Sequence, residues 1–516
     1  MSEAAAPVRL DRLLARGADG DPALTYQDRT LTYAELADAV ARVATGLHRL
    51  GVRRGDRVAV YAEKRLETVV ALFAAAAAGA VLVPLNPLFK ARHVTHVAAD
   101  CAPVVVLTTA QRLATVREAV PERTPVVVFG SAAWDELAAA EPVAVPGAAE
   151  VIDHDPAAIM YTSGSTGGPK GVVLSHRNLL AGAESVAGYL GHTRDDVVLA
   201  ALPLSFDAGF SQLTTAFAAG AHVVLVNYLL PREIVRLCAR HGVTGLTCVP
   251  PLWLQLVTQQ WPAEATARLR YFANTGGRMP GATLTRLREL FPAAQPFLMY
   301  GLTEAFRSTY LDPAEAGRRP GSIGKAIPNA EVLVLRPDGS PCHPGEHGEL
   351  VHRGALVALG YWNDPARTAE RFRPVPGPDG LVRQEIAVWS GDTVYRDEDG
   401  FLYFVGRTDE MIKTSGYRVS PAEVEEAAYA TGLVGEAAAF GVPDPVLGHR
   451  IVLAVAGTGG PEPTADAITG ALEKELPVYM LPRRIEVLPR LPRSVNGKFD
   501  RVALRDALSA VPAGRE

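Results

Sequence analysis

The chain has 516 residues, of which 48% are hydrophobic and 21% charged, with a formal net charge of −5. This composition is typical of a globular protein with more than one domain and excludes a mainly disordered chain. Because charges of both signs run along the chain without blocks, the pattern gives no indication of nucleic-acid binding.

The N-terminal residues predict neither a signal peptide nor a membrane span. "MSEAAAPVRLDRLLARG" contains acidic residues and lacks an apolar core. The most apolar stretch, residues 69–85, is shorter than the ~20 residues of a span and contains a run of alanines. It predicts a buried helix ending near Gly79 and a strand over 81–85. The four cysteines are far apart and form no CxxC, which fits a reducing cytoplasm.

Strands and helices are predicted to alternate up to about residue 324. Thr32 and Glu35 form a T-x-x-E capping box that opens a helix running to about Leu50. Short apolar segments such as "DRVAVYA", "PVVVLTT", "HVVLVN" and "RYFANTG" follow, separated by helical lengths. The alternation predicts an α/β fold with parallel-rich sheets covered by helices.

The later part of the chain predicts two smaller layers. Hairpins are expected around Asp338-Gly339 and Asp399-Gly400, which gives a β-rich part over about 324–409. A final segment has its own helix and strand pattern, so we predict a large domain over 1–409 and a small one over 410–516. The string "HPGEH" (343–347) matches a zinc-protease pattern, but its proline and glycine indicate a turn, so no zinc site is predicted.

The segment "YTSGSTGGPKG" (161–171) predicts a phosphate-binding loop. Pro169 stands where a Walker loop has its second glycine, so the segment is not a Walker loop. "AAIMYT" predicts a strand before the loop and "SHRNLLAGAESVAGYL" a helix after it, and the glycines allow backbone N–H groups to face an anion. Taken alone, the segment is also compatible with a surface turn.

Five ordered motifs together resemble the signature series of the adenylate-forming ligases. They are the loop above, "YGLTE" (300–304), "SGD" (390–392), "GRTDEMIKTSGYRVSP" (406–421) and "NGKFD" (496–500). This superfamily includes acyl-CoA synthetases, luciferases and the adenylation domains of peptide synthetases, and the resemblance covers the whole chain. It implies a large N-terminal α/β domain with a β-rich subdomain and a small mobile α+β C-terminal domain. It also implies attack of a carboxylate on the α-phosphorus of ATP, giving an acyl-adenylate and pyrophosphate.

The resemblance implies roles for individual residues. Lys498 would bridge the carboxylate and phosphate oxygens, and Glu304, after Thr303, would bind Mg²⁺; alone, they fit a surface lysine and a first-turn glutamate. Tyr300 would stack on adenine, Asp392 would bind the ribose, and Asp409 would be the hinge. Further ATP contacts are implied for Thr162, Ser163, Gly164, Ser165, Thr166, Gly167, Lys170, Gly276, Gly277, Gly301 and Arg407, and the path of the incoming thiol is implied for Lys413, Gly416 and Tyr417. Seven of the 51 basic residues are lysines, and Lys64, Lys90 and Lys474 fit surface positions.

The acyl pocket of the family is lined by segments that match Phe206, Asp207, Gly209, Phe210, Trp253 and Asn274 of this chain. Asp207 has two explanations, an anchor for a substrate amine as in amino-acid-activating members, or a cap for the helix that follows. Two positions depart from the family pattern. Arg278 stands where a small or acidic residue is usual, which fits a second carboxylate or a polar tail, and His449 stands where glutamate is frequent.

The wider resemblance is to stand-alone bacterial AMP-forming acyl-CoA ligases, some of them associated with exosortase clusters. The expected reaction uses ATP, Mg²⁺ and a small carboxylic acid and transfers the acyl group to CoA, in the cytoplasm. Three alternatives stay open: an amino-acid adenylation enzyme that loads a separate phosphopantetheine carrier protein, an amide-forming ligase, and a degenerate binding module. The chain shows no carrier segment at its end, so a carrier is expected to be a separate protein.

Replacing Lys498 tests the adenylation chemistry. Lys498→Ala is expected to abolish adenylate formation, because the resemblance implies that the Lys498 ammonium bridges the two reacting anions. Acid-dependent exchange between pyrophosphate and ATP measures the step, and near-normal exchange would contradict the assignment.

Overall fold

The structure is a computed structural model that describes residues 8–163, 169–277, 279, 281–319, 321–375, 385–407, 411–419, 421–457, 463–492 and 501–509. The described helices are α1 (Tyr33–Arg49), α2 (Leu66–Ala77), α3 (Ala91–Cys101), α4 (Leu113–Ala119), α5 (Ala132–Ala138), α6 (His176–Leu190), α7 (Asp207–Ala218), α8 (Pro231–His241), α9 (Pro250–Leu256), α10 (Ala263–Thr266), α11 (Gly281–Leu290), α12 (Pro365–Arg371), α13 (Pro421–Ala430), α14 (Ala465–Glu475) and α15 (Arg501–Ser509).

The described strands, in chain order, are β1 (Pro22–Tyr26), β2 (Arg29–Thr32), β3 (Arg57–Tyr61), β4 (Val81–Pro84), β5 (Val105–Thr108), β6 (Val126–Val128), β7 (Pro156–Ser163), β8 (Pro169–Ser175), β9 (Val197–Ala200), β10 (His222–Leu225), β11 (Gly245–Cys248), β12 (Tyr271–Asn274), β13 (Gln295–Tyr300), β14 (Thr309–Leu311), β15 (Ser322–Ala326), β16 (Ala330–Leu335), β17 (Gly348–Gly354), β18 (Gly360–Tyr361), β19 (Phe372–Pro374), β20 (Ile386–Arg396), β21 (Leu402–Arg407), β22 (Ile412–Thr414), β23 (Tyr417–Val419), β24 (Glu436–Asp444), β25 (Gly448–Ala456) and β26 (Arg484–Val487).

Three sheets organise these strands. The largest runs β16-β17-β20-β21-β15-β14-β13-β12-β11-β9-β10-β1-β2, with β19 on β20; it is parallel from β13 to β1 and antiparallel elsewhere. The second runs β18-β8-β7-β4-β3-β5-β6 and is parallel from β7 to β6. The third, β23-β22-β25-β24 with β26, is built from residues after 411 and has its own apolar cores. The predicted α/β architecture with a β-rich part and a smaller C-terminal unit is confirmed; the boundary at 409/410 stays a prediction.

The predicted capping box at Thr32 and the predicted buried helix before Gly79 are confirmed. Thr32 accepts from Glu35 N at 3.2 Å while Glu35 accepts from Thr32 N at 2.8 Å, which is the reciprocal capping box of α1. Helix α2 is strongly apolar and buried, and no helix in the described ranges has the length and apolar composition of a membrane span. Residues 343–347 form a turn, and the four cysteines are free and buried. Nor does any described group of three His, Cys, Asp or Glu side chains suit a metal ion.

One connection differs from the sequence prediction. The loop after β7 was expected to lead directly into a helix, but strand β8 lies between them and pairs antiparallel with β7, with Thr162 opposite Lys170. The run Val172–Leu174 is buried on this strand, so its side chains pack in the sheet before α6 begins at His176. Strands β7 and β8 therefore form an antiparallel pair, and α6 follows β8 rather than the glycine-rich segment.

Lys64 also corrects a prediction, because it is buried rather than on the surface. Its ammonium donates to the carbonyl oxygens of Ala201 at 2.8 Å and Leu202 at 3.1 Å. Burial lowers the pKa of Lys64 to about 7. The lysine thereby fixes the backbone that follows β9 and leads to α7.

Two neutral histidines, His176 buried and His222 half-buried, connect distant elements. His176 Nδ1 accepts from the backbone N–H of Leu10 at 3.1 Å, and His222 Nε2 lies 2.7 Å from Thr25 Oγ1. Burial lowers the pKa of each of these histidines to about 4. Both rings are therefore neutral in the folded protein at a pH where an unfolded chain binds a proton.

We expect the free energy of unfolding to fall as the pH is lowered from about 6.5 to 4, by up to ~3 kcal/mol for each such histidine. The sign follows because the unfolded chain binds protons in this window and the folded chain does not. His222→Gln should make the slope shallower, whereas His154→Gln, at an exposed position, should leave it unchanged. Urea denaturation at a series of pH values measures the slopes; equal slopes for His222→Gln and the wild type would contradict the expectation.

Candidate active site

The candidate site lies where β13 of the largest sheet ends. Strand β13 ends at Tyr300, and the chain continues through Gly301 into the 3-10 turn Thr303–Ala305. The carboxyl ends of parallel strands are where ligands bind in open α/β sheets. Thr303 and Glu304 are both buried at this point, 6% and 3% exposed.

Glu304 is the centre of a buried polar cluster. Lys170 Nζ, on β8, donates to Glu304 Oε1 at 2.9 Å, and the hydroxyl of Tyr361, on β18, donates to the same oxygen at 2.8 Å. Lys170 Nζ also lies 2.8 Å from the Tyr361 hydroxyl. Arg418 Nη1, on β23, lies 3.7 Å from Glu304 Oε2. The cluster therefore joins the two larger sheets to the C-terminal sheet.

The charge state of the cluster follows from these contacts. Burial by itself raises the pKa of the Glu304 carboxyl, but the charges of Lys170 and Arg418 and the hydrogen bonds from Lys170 and Tyr361 outweigh it and hold the pKa well below its ordinary value. Burial lowers the pKa of Lys170, and the Glu304 carboxylate opposes that shift. Glu304 is therefore an anion at neutral pH.

The Glu304 carboxylate has one oxygen that could bind a divalent cation. Its Oε2 atom is buried and has no hydrogen-bond partner. An anionic oxygen left without a hydrogen bond is the ligand type that Mg²⁺ prefers, and Mg²⁺ is commonly held by one or two carboxylates together with substrate phosphates and waters. Glu304 would hold the ion through this atom.

Tyr300 and Asp392 form the part of the site predicted for the nucleoside. The Tyr300 hydroxyl donates to Asp392 Oδ2, and Asp392 is completely buried on β20. The ring centroids of Tyr300 and Phe404 lie 6.4 Å apart.

Lys413, which was predicted for the thiol path, lies beside these two rings. Its Nζ is 4.5 Å from the centroid of Phe404 and 5.9 Å from that of Tyr300.

A turn of the C-terminal sheet closes against the acyl side of the site. Gly416, between β22 and β23, has φ +81°, and a Cβ atom there would lie 2.7 Å from Val249 Cγ1. Gly276 has φ +73°, and its Cβ would meet Val249, the carbonyl oxygen of Gly416 and the ring of Phe206. These positions need glycine both for the left-handed backbone and for the close approach. They bring Gly416 and Gly276 together, and the thiol path predicted past Gly416 stays a prediction.

Asp207 does not cap α7. The residue before the helix is Phe206, and no side chain caps the helix N-terminus. Asp207 is the first helical residue and is 4% exposed. Burial raises the pKa of its carboxyl, and the charge of Arg307 is the largest opposing influence. The prediction that Asp207 caps α7 is therefore wrong, whereas its carboxyl does bond to the backbone of Ala208. A role of Asp207 in binding a substrate amine stays a prediction.

Three residues predicted for the acyl pocket have their contacts in the packed core. Phe210 is fully buried and its ring lies 6.2 Å from that of Phe73 on α2. The indole N–H of Trp253 donates to Ala273 O at 3.2 Å, which fixes α9 to β12. A Cβ on Gly209 would lie 1.9 Å from Pro203 O, so this glycine allows the helix to touch the preceding loop rather than leaving room for a substrate.

Asn274 lies at the end of β12, beside the glycines. Its Nδ2 donates to Gly277 O at 2.8 Å, while its Oδ1 is buried without a hydrogen-bond partner. Thr162 Oγ1, at the end of β7, is likewise buried without a partner. These two atoms are polar groups that a substrate could satisfy.

Several predicted residues lie outside the described parts of the chain. They are Gly164, Ser165, Thr166, Gly167, Arg278, Asp409 and Lys498, and the side chains of Ser163 and Arg407. Their roles stay predictions.

Three residues near the site were not predicted from the sequence: Tyr361, Arg418 and Arg307. The last two lie inside or beside the quoted motifs. Arg418 follows Tyr417 in "GYRVSP", and Arg307 follows "YGLTEAF". Arginine is also the residue type that this chain prefers over lysine, so composition alone could not single either one out. Tyr361 carries no pattern of its own, and only the pairing of β18 with β8 brings it to Lys170.

A second contact links the C-terminal part to the rest. His93 Nε2 on α3 lies 2.8 Å from Glu423 Oε1 on α13, and both side chains are almost fully buried. Arg92 Nε donates to Glu475 O at 3.1 Å. Together with the Arg418 contact, these bonds fix one orientation of the C-terminal sheet.

Two large sheets, each with a parallel portion, and a third, C-terminal sheet that reaches the buried Glu304 carboxylate form the architecture of an adenylate-forming enzyme. A family model described as AMP-binding enzyme matches residues 12–362, and one for the C-terminal domain of AMP-binding enzymes matches residues 423–498. The chain belongs to the AMP-binding enzyme family. This membership supports the predicted use of ATP.

Relatives include feruloyl-CoA synthase of Amycolatopsis sp, 33% identical, with 96% of each chain covered. A linear gramicidin synthase chain of Brevibacillus parabrevis is 32% identical over 93% of this chain, but this chain spans only 9% of that protein's length.

Two structures of o-succinylbenzoate CoA synthetase from Bacillus subtilis differ in their likeness to this chain. A double mutant bound with a product analogue gives a TM-score of 0.84 at 30% identity, covering 97% of this chain and 98% of that one. The complex with AMP gives 0.69 at 29% identity, covering 99% and 100%.

Tyr361→Phe tests whether the cluster around Glu304 supports activity. The change removes the hydroxyl that bonds to both Glu304 and Lys170 but keeps the ring. Hydrogen bonds to charged groups contribute ~1.5–3 kcal/mol, so acid-dependent pyrophosphate exchange should fall by roughly ten- to a hundredfold. Tyr26→Phe, at a partly exposed tyrosine outside the cluster, is the matched control; equal rates for both variants would contradict the expectation.

Proposed function

We propose that this enzyme activates a small carboxylic acid with ATP, releasing pyrophosphate, and then transfers the acyl group from the adenylate to the thiol of CoA. The single observation that carries the proposal is the buried Glu304 carboxylate held by Lys170 and Tyr361 at the end of β13. The CoA ligases among the relatives favour a thiol acceptor.

The first step needs no general base. A carboxylate is already ionised, so the protein must hold two anions together and stabilise the charge that develops on the phosphate oxygens. Lys170 supplies a fixed ammonium. Arg418 and Arg371 add positive charge near it, and their charges lower the pKa of Lys170. Mg²⁺ on Glu304 would supply further charge neutralisation when bound.

The second step needs an opening for a thiol. The approach of Gly416 to Val249 and Gly276 forms a narrow boundary of the acyl region, where a pantetheine arm could pass. We infer that the small unit, over about 410–516, hinges at Asp409 and turns between the two steps. In one orientation it presents Lys498, and in the other it presents Arg418 and Gly416.

Amino-acid activation with transfer to a separate carrier protein is the second candidate. The observation that favours it is Asp207, a buried carboxyl at the first residue of α7 that does not cap the helix; in this candidate function it would pair with the substrate amine.

Pyrophosphate exchange over a panel of fatty, aryl, dicarboxylic and amino acids tests the first step, and formation of acyl-CoA and AMP tests the second. We expect exchange with one class of acid and a thioester with CoA. Exchange with amino acids alone, without thioester formation on CoA, would replace CoA by a carrier protein. No exchange with any acid would overturn the proposal.

Arg418→Ala separates the two steps. Arg418 Nη1 lies 3.7 Å from Glu304 Oε2, and we infer that this orientation serves the second step. Its loss should therefore slow acyl-CoA formation roughly fivefold, as for a weak ion pair, and change pyrophosphate exchange less. Arg483→Ala, at an exposed arginine of the same unit, is the matched control. A larger effect on exchange than on thioester formation would contradict the expectation.

A further inference from the structure

Arg307 is a buried cation with few partners. Its side chain is 3% exposed, and its Nη1 donates to Thr275 Oγ1 at 3.2 Å. Its Nε is buried without a hydrogen-bond partner, and no carboxylate of the described residues lies within 4 Å of the guanidinium. A guanidinium has five N–H donors, and each donor that is buried without an acceptor is unfavourable. A bound anion would supply acceptors to the donors that Thr275 leaves unsatisfied.

The backbone at this point directs Arg307 toward the acyl region. Phe306 has φ +53° and packs its ring against Gly182 on α6, where an added Cβ would lie 2.4 Å from Phe306 Cδ1. The following residue, Arg307, instead reaches Thr275, which comes directly after β12 and directly before Gly276. A positive φ at a phenylalanine is unfavourable, so the packing of α6 maintains it.

Asp207 faces the same region without neutralising Arg307 directly. Burial raises the pKa of Asp207, and the positive charge of Arg307 opposes that shift but leaves the net change upward. The two groups therefore act on each other through space but form no ion pair. A raised pKa favours the protonated carboxyl, which donates a hydrogen bond to an anion.

The chemistry of this pair discriminates between substrate tails. A fatty or plain aryl tail would cover the guanidinium and offer it no acceptor. A carboxylate offers two oxygens that match the planar fork of arginine. The geometry points to Arg307 as the residue that pairs with a second carboxylate on the tail of the acid, so that the substrate is a dicarboxylic acid. This inference rests on the proposed function, and it concerns which acid the enzyme selects.

The sharpest comparison is between a diacid and its own half-amide, which has nearly the same shape and lacks the second charge. Wild-type enzyme should be tested by pyrophosphate exchange with straight-chain diacids from malonate to adipate, with aspartate and glutamate, and with the half-amide of each. The amino diacids are included because an amine would also give Asp207 a partner. We expect kcat/KM for the preferred diacid to exceed that of its half-amide by roughly 30-fold or more.

Variants of Arg307 assign the preference to this side chain. Arg307→Met should lose the diacid preference while keeping exchange with the half-amide, and Arg307→Lys should keep part of the preference. Arg318→Met, at an arginine whose side chain is 78% exposed, is the matched control. Thermal unfolding checks that each variant folds; if Arg307→Met does not fold, the wild-type comparison and Arg307→Lys still decide the question.

The outcomes separate this inference from the proposed function. Exchange confined to acids with uncharged tails, or an equal loss for diacid and half-amide in Arg307→Met, would overturn the inference and leave carboxylate activation intact. No exchange with any acid would overturn both.

Discussion

A single buried carboxylate, that of Glu304, constrains the arrangement of the site. Taking a carboxylate out of water costs several kcal/mol, and the cost is recovered only with well-placed cations and hydrogen bonds. Glu304 obtains them from three places: Lys170 on β8, Tyr361 on β18 and Arg418 on β23. Each comes from a different stretch of the chain. The contacts of the two Glu304 carboxylate oxygens therefore connect the end of β13 to the second sheet and to the C-terminal sheet.

The other charges near the site follow the same logic. Lys170, Arg371 and Arg418 bring positive charge to one place, and Glu304 offsets only part of it. Such a surplus of positive charge suits reactants that are themselves anions, a carboxylate and a polyphosphate. The buried His93–Glu423 contact and the Gly416 turn hold the C-terminal part against this region. If that part turns during the reaction, these contacts must break, and Arg418 leaves Glu304 at the same time.

The sequence predicted most of the local structure because its signals are local. The capping box at Thr32, the apolar strands and the turns at Asp338 and Asp399 each depend on a few neighbouring residues. The ordered motifs also placed Tyr300, Glu304 and Asp392 in one site. The structure has Tyr300 and Glu304 at the end of β13 and Asp392 on β20, where its carboxylate accepts a hydrogen bond from the Tyr300 hydroxyl. The failures concern packing. Strand β8 was missed because the glycine-rich loop was interpreted as leading directly into the next helix. The burial of Val172 in the sheet depends on tertiary contacts that the sequence does not show. Lys64 was expected on the surface, and only the fold shows two backbone carbonyls around its ammonium.

The sequence by itself determined the α/β class, the family and the chemical types in the site, because periodicity, capping and the spacing of motifs are written in adjacent residues. Only the tertiary structure decided which of the candidate side chains belong to the polar cluster around Glu304 and which pack in the core. Phe210 and Trp253 belong to packed cores, Asp207 leaves α7 uncapped, and Tyr361 and Arg307 acquire significance from residues far away in the chain. The physical reason is that burial and the distance between charges are set by contacts between remote segments. The glycine-rich stretch illustrates both parts: its residue types indicate phosphate, and the pairing of β7 with β8 is what brings Lys170 to Glu304.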